Sequence, residues 1–372
     1  MKLAFFMPSA NNGGVQKIMV KLVNKFNEFE YHIVFLIADG NGEMIDSISK
    51  EVEIKDLRTR FGKGDIKTIL SIFKICKFLK NDKPDILCAA PGFSTVISII
   101  SKKITRSATK VVVMVDNKLS TLKKGKLKHR ISYYIYKKIY PYADAIIVAH
   151  EQGYNDIIKT FKVEKKRVHK IYHPLIDEKE IKSAEKPNHI WYQNNEKVIL
   201  SVGRLVKEKD FPTMLKAFYL YKKANSNCKL LILGEGPERK NLENMIKKYH
   251  LESSVQLYGY VNNPYSFMKY SEMFVLTSSK EAFGNVIVEA LATGTQVIAT
   301  DCDSGGPREI LADGRYGILC KCGDAKQIAN AMSSITHKRF NLKELEKRGK
   351  DFSIKNSVES YNKVFKEVVK EV

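Results

Sequence analysis

The feature that most constrains the fold is a regular alternation of short apolar runs and amphipathic stretches along all 372 residues. Residues 3–7, 32–38 and 110–115 are apolar throughout except for His32 and Lys110 at their starts, which is typical of strands buried on both faces of a parallel sheet. Between such runs apolar residues recur at helical spacing, as in residues 15–23. The alternation predicts an α/β architecture in which helices cover parallel sheets.

The alternation is interrupted once, by a polar stretch without periodicity over residues 181–196. A chain of this length is also expected to form about two domains of roughly 100–200 residues each. We therefore predict two doubly wound, Rossmann-like domains, residues 1–180 and 197–352, with residues 181–196 as the linker. Residues 353–372 form a last amphipathic helix.

The chain is strongly basic, with 63 Lys and Arg against 41 Asp and Glu and a net charge of +22. Such an excess predicts an anionic partner, namely nucleic acid, nucleotide phosphates or an acidic membrane face. It is densest in residues 102–138, where Asp116 is the one acidic residue. Leu127, Ile131 and Ile135 add an apolar stripe there. This stretch is either a helix that lies on an anionic membrane or a solvated basic face above an ordinary core-facing stripe.

Cysteine usage and apolar run lengths predict the compartment. The six cysteines form no CxxC pair, so we expect reduced thiols in a cytoplasmic protein. The apolar run before Pro8 is too short for a signal peptide. The longest apolar run, residues 86–100, is interrupted by Pro91 and Gly92 and is shorter than the ~20 residues of a spanning helix. Any membrane contact is expected to be peripheral, on the inner face of the plasma membrane.

Two loops that follow predicted strands carry residues suited to phosphate. Ligands bind outside the carboxyl ends of strands in doubly wound sheets. Gly13 and Gly14 open a helix after the first strand, where backbone N–H groups can receive phosphate, although a tight turn needs the same glycines. Arg204 and Lys209 follow the strand at residues 197–202 and suit a diphosphate. The alternative is two solvated loop cations.

A third loop, after the strand at residues 273–278, carries two carboxylates around a helix start. Glu281 lies in the loop, Asn285 can cap a helix that begins near Val286, and Glu289 lies about one turn further on. Free N–H groups at the helix start would attract an anion. The spacing of two glutamates is common in a charged chain, so the strand–loop–helix context carries the prediction.

Other motifs were weighed and set lower. The nearest match to G-x-G-x-x-G, residues 234–239, lacks the third glycine, and no phosphate loop occurs, which disfavours a dehydrogenase and a P-loop NTPase. Asp301 and Asp303 form a D-x-D that could hold a divalent cation, but they fit a plain loop better. His150 follows a strand and could face a ligand or make structural hydrogen bonds.

Several of these motifs occur together in an order that resembles a known family. Gly13-Gly14-Val15, VGRLVKEKD from residue 202, GEGP from 234, LYGYV from 257 and EAFGNVIVEALATGTQVIATD from 281 resemble the retaining GT-B glycosyltransferases of family 4, the glycosyl transferases group 1 type. The resemblance covers essentially the whole chain. It implies two Rossmann-like domains facing a cleft, with acceptor bound by the first and nucleotide-sugar by the second. It also implies that the last helix crosses back to the first domain.

The resemblance also implies residue roles. Arg204 and Lys209 would hold the donor diphosphate, and Glu281 would contact the donor sugar near the reacting centre. The other donor contacts would be Gly14, Val261, Phe283, Gly284, Asn285, Val286 and Glu289. Many members place a His after the strand equivalent to residues 110–115, where this chain has Asp116 and Asn117. These two residues and His150 are the candidates for the acceptor or sugar side.

The sequence therefore predicts a retaining hexosyl- or N-acetylhexosaminyltransferase that needs neither metal nor cofactor. Its expected partners are a UDP-sugar donor, a glycan or lipid-linked glycan acceptor of bacterial surface polysaccharide assembly, and an anionic membrane surface. One alternative is a GT-B nucleotide-sugar epimerase, which needs an acid/base pair in the cleft. The other is a basic nucleic-acid-binding protein, which the charge suggests. The sequence lacks RRM, KH and zinc-finger motifs, so nucleic acid is not an expected partner.

Overall fold

The computed structural model describes residues 1–370 except residues 12, 41, 59–64, 117, 282, 304 and 338. Asn117, one of the predicted acceptor-side residues, therefore lies outside the described residues. The chain divides into two compact units, one formed by Met1–Pro174 with Ile354–Val372 and the other by Leu175–Ser353.

The first unit is built on a parallel sheet of seven strands in the order β3-β2-β1-β4-β5-β6-β7. Its central strands are the continuous apolar runs of the sequence, and they are fully buried because helices cover both faces of the sheet. Its elements in chain order are β1 (Lys2–Ser9), α1 (Gly14–Phe26), β2 (His32–Asp39), β3 (Glu53–Asp56), α2 (Asp65–Leu70), α3 (Ile72–Asn81), β4 (Ile86–Ala89), α4 (Phe93–Thr105), β5 (Lys110–Val115), α5 (Leu127–Ile139), β6 (Ala145–Val148), α6 (Glu151–Lys159) and β7 (Val168–Lys170).

The second unit repeats this plan with six parallel strands in the order β10-β9-β8-β11-β12-β13. Its elements are α7 (Glu178–Lys182), α8 (Ile190–Gln193), β8 (Lys197–Val202), α9 (Phe211–Lys222), β9 (Cys228–Leu233), α10 (Arg239–Lys248), β10 (Val255–Gly259), α11 (Tyr265–Lys269), β11 (Met273–Leu276), α12 (Asn285–Ala292), β12 (Val297–Thr300), α13 (Gly306–Ile310), β13 (Ile318–Cys320), α14 (Ala325–His337) and α15 (Leu342–Lys350). The predicted α/β class with doubly wound parallel sheets is confirmed.

The last helix, α16 (Ile354–Lys370), belongs to the first unit. Its apolar face packs on α1 and the sheet, where the ring of Phe365 lies 5.3 Å from that of Phe26 and 6.3 Å from that of Phe5. Phe365 is fully buried. The chain therefore contributes its last helix to the core of the unit in which it began.

The segment predicted as a linker belongs to the second unit. The boundary lies after Pro174 rather than at residue 180, and residues 181–196 include the end of α7 and all of α8. Tyr192 is buried and its hydroxyl lies 2.8 Å from the hydroxyl of Ser271. The sequence pattern missed these helices because they have five and four residues, which is too short to show a helical period.

Each sheet has one point at which the strand order reverses. In the first sheet it lies between β1 and β4, and in the second between β8 and β11. Loops that leave the carboxyl ends of such a strand pair turn to opposite faces of the sheet and leave a crevice in which ligands bind. The loops at which the fold predicts ligand binding are therefore the four that follow β1, β4, β8 and β11.

Candidate functional site

The loops that follow β8 and β11 are joined by hydrogen bonds. The hydroxyl of Thr277 donates to the carbonyl oxygens of Lys209 and Asp210 at 3.1 and 3.0 Å. The N–H of Ser279 donates to the carbonyl of Glu208 at 2.8 Å. Thr277 is buried, so water does not compete for its bonds. The two loops thus form one platform at the reversal point of the second sheet.

Lys209 and Glu281 meet on this platform as an ion pair between Nζ and Oε2. Their side chains are only 17% and 15% exposed. The hydroxyl of Ser278 donates to the same carboxylate at 3.1 Å. A Cβ built on Gly203 would lie 3.4 Å from Cδ and Cε of Lys209, so the lysine stem lies over that glycine. The sequence assigned separate roles to Lys209 and Glu281 and did not predict this pairing.

Arg204 has a fixed backbone and an exposed side chain. The N–H of Leu205 donates to the carbonyl of Glu235 at 2.8 Å, and a Cβ on Gly234 would collide with the carbonyl of Gly203. Gly234 has φ +147°, which favours glycine. The glycine-rich GEGP segment therefore serves close packing of two loops. Within the described part of the chain, the Arg204 guanidinium pairs with no carboxylate.

The helix α12 begins beside Glu281, so the partial positive charge of its N-terminus lies near that residue. Gly284, at φ +106°, occupies the N-cap position, and Asn285 is the first helical residue rather than the predicted cap. Only glycine adopts this backbone conformation readily, which explains the shift by one residue. The N-cap residue is a glycine and so has no side chain with which to cap the helix, and the first turn holds no acidic residue. A Cβ on Gly284 would lie 3.4 Å from Cγ of Glu281, so the partial positive charge of the helix start lies next to that carboxylate.

The predicted donor contact Phe283 has its ring in the core. The side chain is buried, and its ring lies 5.8 Å from that of Phe352. The backbone of Phe283 is also in close contact with Gly306, where a Cβ would collide with it. Phe283 thus fixes the loop between β11 and α12 to its surroundings, and its ring is used for packing.

Glu289 of α12 lies close enough to α11 for its charge to act on Tyr265. Burial raises the pKa of the Tyr265 hydroxyl on α11, and the negative charge of Glu289 raises it further. Val261, which follows β10, and Val286 are both half-buried. The two glutamates of the loop–helix motif therefore have different neighbours, since Glu281 pairs with Lys209 and Glu289 lies near Tyr265.

The D-x-D motif has its first carboxylate engaged. Arg308 Nε donates to Asp301 Oδ1 at 3.2 Å, and Nη2 pairs with Oδ2. A divalent cation bound by Asp301 would have to displace this arginine. In the part of the chain that the structure describes, no group of three or more His, Cys, Asp or Glu side chains is arranged to hold a metal ion.

Two open helix starts lie at the reversal point of the first sheet. Apart from its chain neighbours and the backbone of its own helix, no described residue lies within 4 Å of a Cβ built on Gly14, where α1 begins, and the same holds for Gly92, at φ +103° before α4. Gly14 is thus placed where a ligand could approach the backbone. From the sequence, Gly92 was interpreted only as an interruption of an apolar run. Its position after a central strand was the signal that it belongs with Gly14.

His150 has a structural role. Its Nδ1 accepts the N–H of Gly153 at 3.0 Å and caps α6, while Nε2 lies 2.9 Å from the carbonyl oxygen of Asp116. The ring is only 4% exposed. With both ring nitrogens held by backbone groups, the structure favours the structural interpretation over a ligand-facing one.

The side chain of Asp116 pairs with a histidine that the sequence analysis did not single out. His173 Nε2 lies 3.0 Å from Asp116 Oδ1, and both side chains are largely buried. His173 precedes Pro174, where the first unit ends. A histidine thus contacts the residue after β5, although it comes from a segment 57 residues further along the chain.

Comparison with known proteins identifies the family. The model of glycosyltransferase family 4 matches residues 12–179, and that of glycosyl transferases group 1 matches residues 177–352. An uncharacterized glycosyltransferase of Methanocaldococcus jannaschii is 31% identical over 277 residues, which is 68% of this chain and 68% of that one. The chain belongs to the group 1, family 4 glycosyltransferases.

Two further proteins match nearly all of this glycosyltransferase, one in sequence and one in fold. The first is the Campylobacter jejuni N-acetylgalactosamine-N,N'-diacetylbacillosaminyl-diphospho-undecaprenol 4-alpha-N-acetylgalactosaminyltransferase, 27% identical over 353 residues and 90% of each chain. The second is the crystal structure of Anabaena HepE in complex with UDP. It superposes with a TM-score of 0.78 at 17% identity and covers 99% of this chain and 100% of that one. The glycosyltransferase therefore has the GT-B fold.

Proposed function

We propose that this glycosyltransferase moves a sugar from a UDP-sugar to a hydroxyl of a lipid-linked or membrane-associated glycan and retains the anomeric configuration. One observation carries the proposal: the Lys209–Glu281 ion pair lies beside the N-terminus of α12, at the point where strand order reverses. The UDP in the Anabaena structure and the lipid-linked acceptor named for the Campylobacter enzyme support the choice of donor and acceptor.

In the proposed mechanism, fixed positive groups stabilise the departing UDP. As the bond to the sugar breaks, negative charge builds on the phosphate oxygens. Arg204 offers two parallel donors, Lys209 offers a point charge, and the start of α12 offers backbone N–H groups. Preorganised charges of this kind do the work that a divalent cation does in other transferases.

The ion pair also links donor binding to the position of Glu281. Without donor, Lys209 and Ser278 hold the Glu281 carboxylate. A diphosphate competes for the Lys209 ammonium group, so donor binding frees one side of the carboxylate to contact the sugar. Ser278 continues to hold the carboxylate meanwhile.

Transfer then proceeds as a front-face displacement. The acceptor oxygen bonds to the anomeric carbon on the face from which the phosphate leaves, and the bond between that carbon and the phosphate oxygen breaks. The acceptor proton passes to the departing phosphate oxygen. Attack and departure on one face give retention without a protein nucleophile.

A donor screen tests the proposal. The protein is incubated with UDP-glucose, UDP-galactose, UDP-N-acetylglucosamine and UDP-N-acetylgalactosamine without acceptor, and UDP release is measured. We expect slow hydrolysis of one donor, because water can take the place of the acceptor hydroxyl. UDP-N-acetylgalactosamine is the first to test, given the activity named for the Campylobacter relative. An epimerised nucleotide-sugar without UDP release would favour the epimerase alternative.

Substitution of the two glutamates should separate chemistry from binding. We expect Glu281→Ala to lower kcat by about 10²-fold or more, because the carboxylate acts next to the breaking bond. Glu289→Ala should mainly raise KM, because Glu289 lies a turn into α12, away from the breaking bond, where the family resemblance implies a contact with the bound donor. Glu252→Ala, an exposed glutamate of the same unit, is the control. A Glu281→Ala variant with nearly wild-type kcat would show that the assignment is wrong.

Chelation tests the metal-free mechanism. We expect the rate of UDP release to be unchanged in excess EDTA, because Arg204, Lys209 and the start of α12 supply the positive charge. The measurement compares metal-stripped protein with and without added Mn²⁺. Loss of activity in EDTA that Mn²⁺ restores and that Asp303→Ala reproduces would contradict the mechanism.

The membrane part of the proposal comes from α5. Its core-facing side chains are Ser132, Tyr133 and Tyr136, whereas Leu127 and Ile131 are 71% and 52% exposed. The apolar stripe expected from the sequence thus faces solvent over its first two residues. The third, Ile135, packs against the core.

A second apolar edge lies beside this helix. Lys128 of α5 forms an ion pair of 2.7 Å with Asp65 at the start of α2, and Ile66 on α2 and Phe73 on α3 are 56% and 78% exposed. Exposed apolar side chains among lysines suit an anionic bilayer surface, where each basic residue contributes about 1 kcal/mol. None of the described helices is long and apolar enough to cross a bilayer. We therefore propose peripheral binding, on the cytoplasmic face.

Liposome co-sedimentation tests this surface. We expect binding to rise with phosphatidylglycerol content and to fall with salt, because salt screens the lysines. Replacing Lys123, Lys124, Lys126 and Lys128 by Glu should abolish liposome binding. The matched control replaces four exposed lysines of the second unit by Glu, at positions 223, 240, 247 and 248. Wild-type protein that stays in the supernatant at low salt would contradict membrane binding and favour a soluble acceptor.

A further inference from the structure

Cys302 and Cys322 lie opposite each other at the ends of neighbouring strands. In the parallel pair β12 and β13, Thr300 is the partner of Cys320, and each cysteine follows its strand by two residues. The N–H of Asp301 donates to the carbonyl of Cys320 at 2.7 Å, which continues the pairing. Paired strands lie about 4.8 Å apart, within the Cα separation of about 4.4–6.8 Å that a disulfide spans.

Both thiols donate to the carbonyl oxygen of Ser278. The distance from that oxygen to Sγ is 3.0 Å for Cys302 and 3.6 Å for Cys322. Two sulfurs that contact one oxygen are neighbours in space as well as in register. Ser278 is fully buried, and its hydroxyl donates to Glu281 at 3.1 Å. The thiol pair therefore lies directly behind the residue that holds the Glu281 carboxylate.

The two thiols differ in access. Cys302 is buried, and burial raises its pKa to about 12, with a further contribution from the neighbouring Cys322. Cys322 is half-exposed and lines a cavity of about 410 Å³ together with Lys216, Lys321 and Lys326. A reagent can thus reach Cys322 first. Asp324 also lines the cavity, but the three ammonium groups outnumber its carboxylate and favour an acidic reagent over a basic one.

We propose that Cys302 and Cys322 are a site of reversible oxidation by an acidic low-molecular-weight disulfide of the glutathione type. The Cys322 thiolate attacks one sulfur of the reagent, and one reagent thiolate leaves. The Cys302 thiolate, formed by loss of its proton to solvent, then attacks Cys322 Sγ and expels the second reagent thiolate. The protein loses two hydrogens and forms one S–S bond, and the reagent disulfide is reduced to two thiols.

The new bond would disturb the donor site, a consequence that rests on the proposed function. Oxidation removes both S–H donors from the Ser278 carbonyl, which keeps its bond of 2.6 Å from the Thr300 hydroxyl. It also ties the loop after β12 to the turn after β13. Because Ser278 holds the Glu281 carboxylate, a shift at Ser278 displaces the group next to the reacting bond. We expect oxidation to lower turnover.

Mass spectrometry tests the site without an activity assay. Reduced full-length protein is treated with oxidised glutathione, alkylated and measured intact and as peptides. We expect a loss of the mass of two hydrogen atoms and one cross-linked peptide that contains Cys302 and Cys322. Cys322→Ser should prevent it, and Cys76→Ser, which removes a half-exposed cysteine of the first unit, should not. Cys322→Ala serves as a second variant at this position. Thermal unfolding of the reduced variants is compared with that of the reduced wild type to show that they are folded. Reaction confined to Cys76 would overturn the proposal.

Reagent charge tests the role of the lysine-lined cavity. Oxidised glutathione is compared at low salt with cystamine, a basic disulfide. We expect oxidised glutathione to form the Cys302–Cys322 bond several-fold faster and the difference to shrink as salt screens the lysines. Equal rates at low salt would contradict the proposed class of reagent.

Activity tests the consequence. UDP release should fall by about tenfold or more on oxidation, since small displacements of catalytic groups have effects of this size, and dithiothreitol should restore it. Cys322→Ser should release UDP at one rate before and after treatment. A complete disulfide with unchanged UDP release would overturn the link to Glu281. If the reduced wild type releases no UDP from any donor, the proposed function fails, while the mass measurements still decide the oxidation site.

Discussion

The ion pair between Lys209 and Glu281 joins two loops that the fold sends in opposite directions. The loop after β8 leads to α9, which packs with α14 on one face of the sheet, and the loop after β11 leads to α12, which packs with α15 on the other. A crevice opens where such loops diverge. The Thr277 hydroxyl and the ion pair join the two loops at the base of this crevice. Lys209, the Glu281 carboxylate and the start of α12 are therefore held in position before any ligand binds.

The sequence predicted the central strands of both sheets and missed one edge strand of each. Strands such as β1 and β8 are covered on both faces, so their sequences are continuously apolar. By contrast, β3 and β10 lie at sheet edges and most of their side chains are exposed or half-buried, and neither was predicted as a strand. The boundary at Pro174 was missed for a related reason. The short helix α8 buries a single residue, Tyr192, within its own unit, and one buried residue does not show a helical period.

Residue types and loops at the site were predictable, whereas side-chain pairings were not. Lys209 and Glu281 are 72 residues apart, and only the strand order brings them together. The same holds for His173 and Asp116, since a histidine before a proline gives no local sign that it will contact the end of β5. Local pattern likewise left two interpretations of His150. Its hydrogen bonds favour the structural one, because both ring nitrogens are held by backbone groups.

A partly buried ion pair contributes little to the stability of a protein. The role of Lys209 and Glu281 must therefore be sought in something other than stability. Removing two charges from water costs about as much as their attraction returns, and apolar side chains of the same shape often stabilise a fold as well or better. The cores of both units are apolar and do not depend on this pair. The pair provides charge at a defined position, beside the N-terminus of α12 and the exposed Arg204. A diphosphate would bring the negative charge that Arg204 and the helix start lack. An apolar pair in place of Lys209 and Glu281 would stabilise these loops as well or better. The presence of charges instead fits a site in which the negative charge of the substrate neutralises the remaining positive groups.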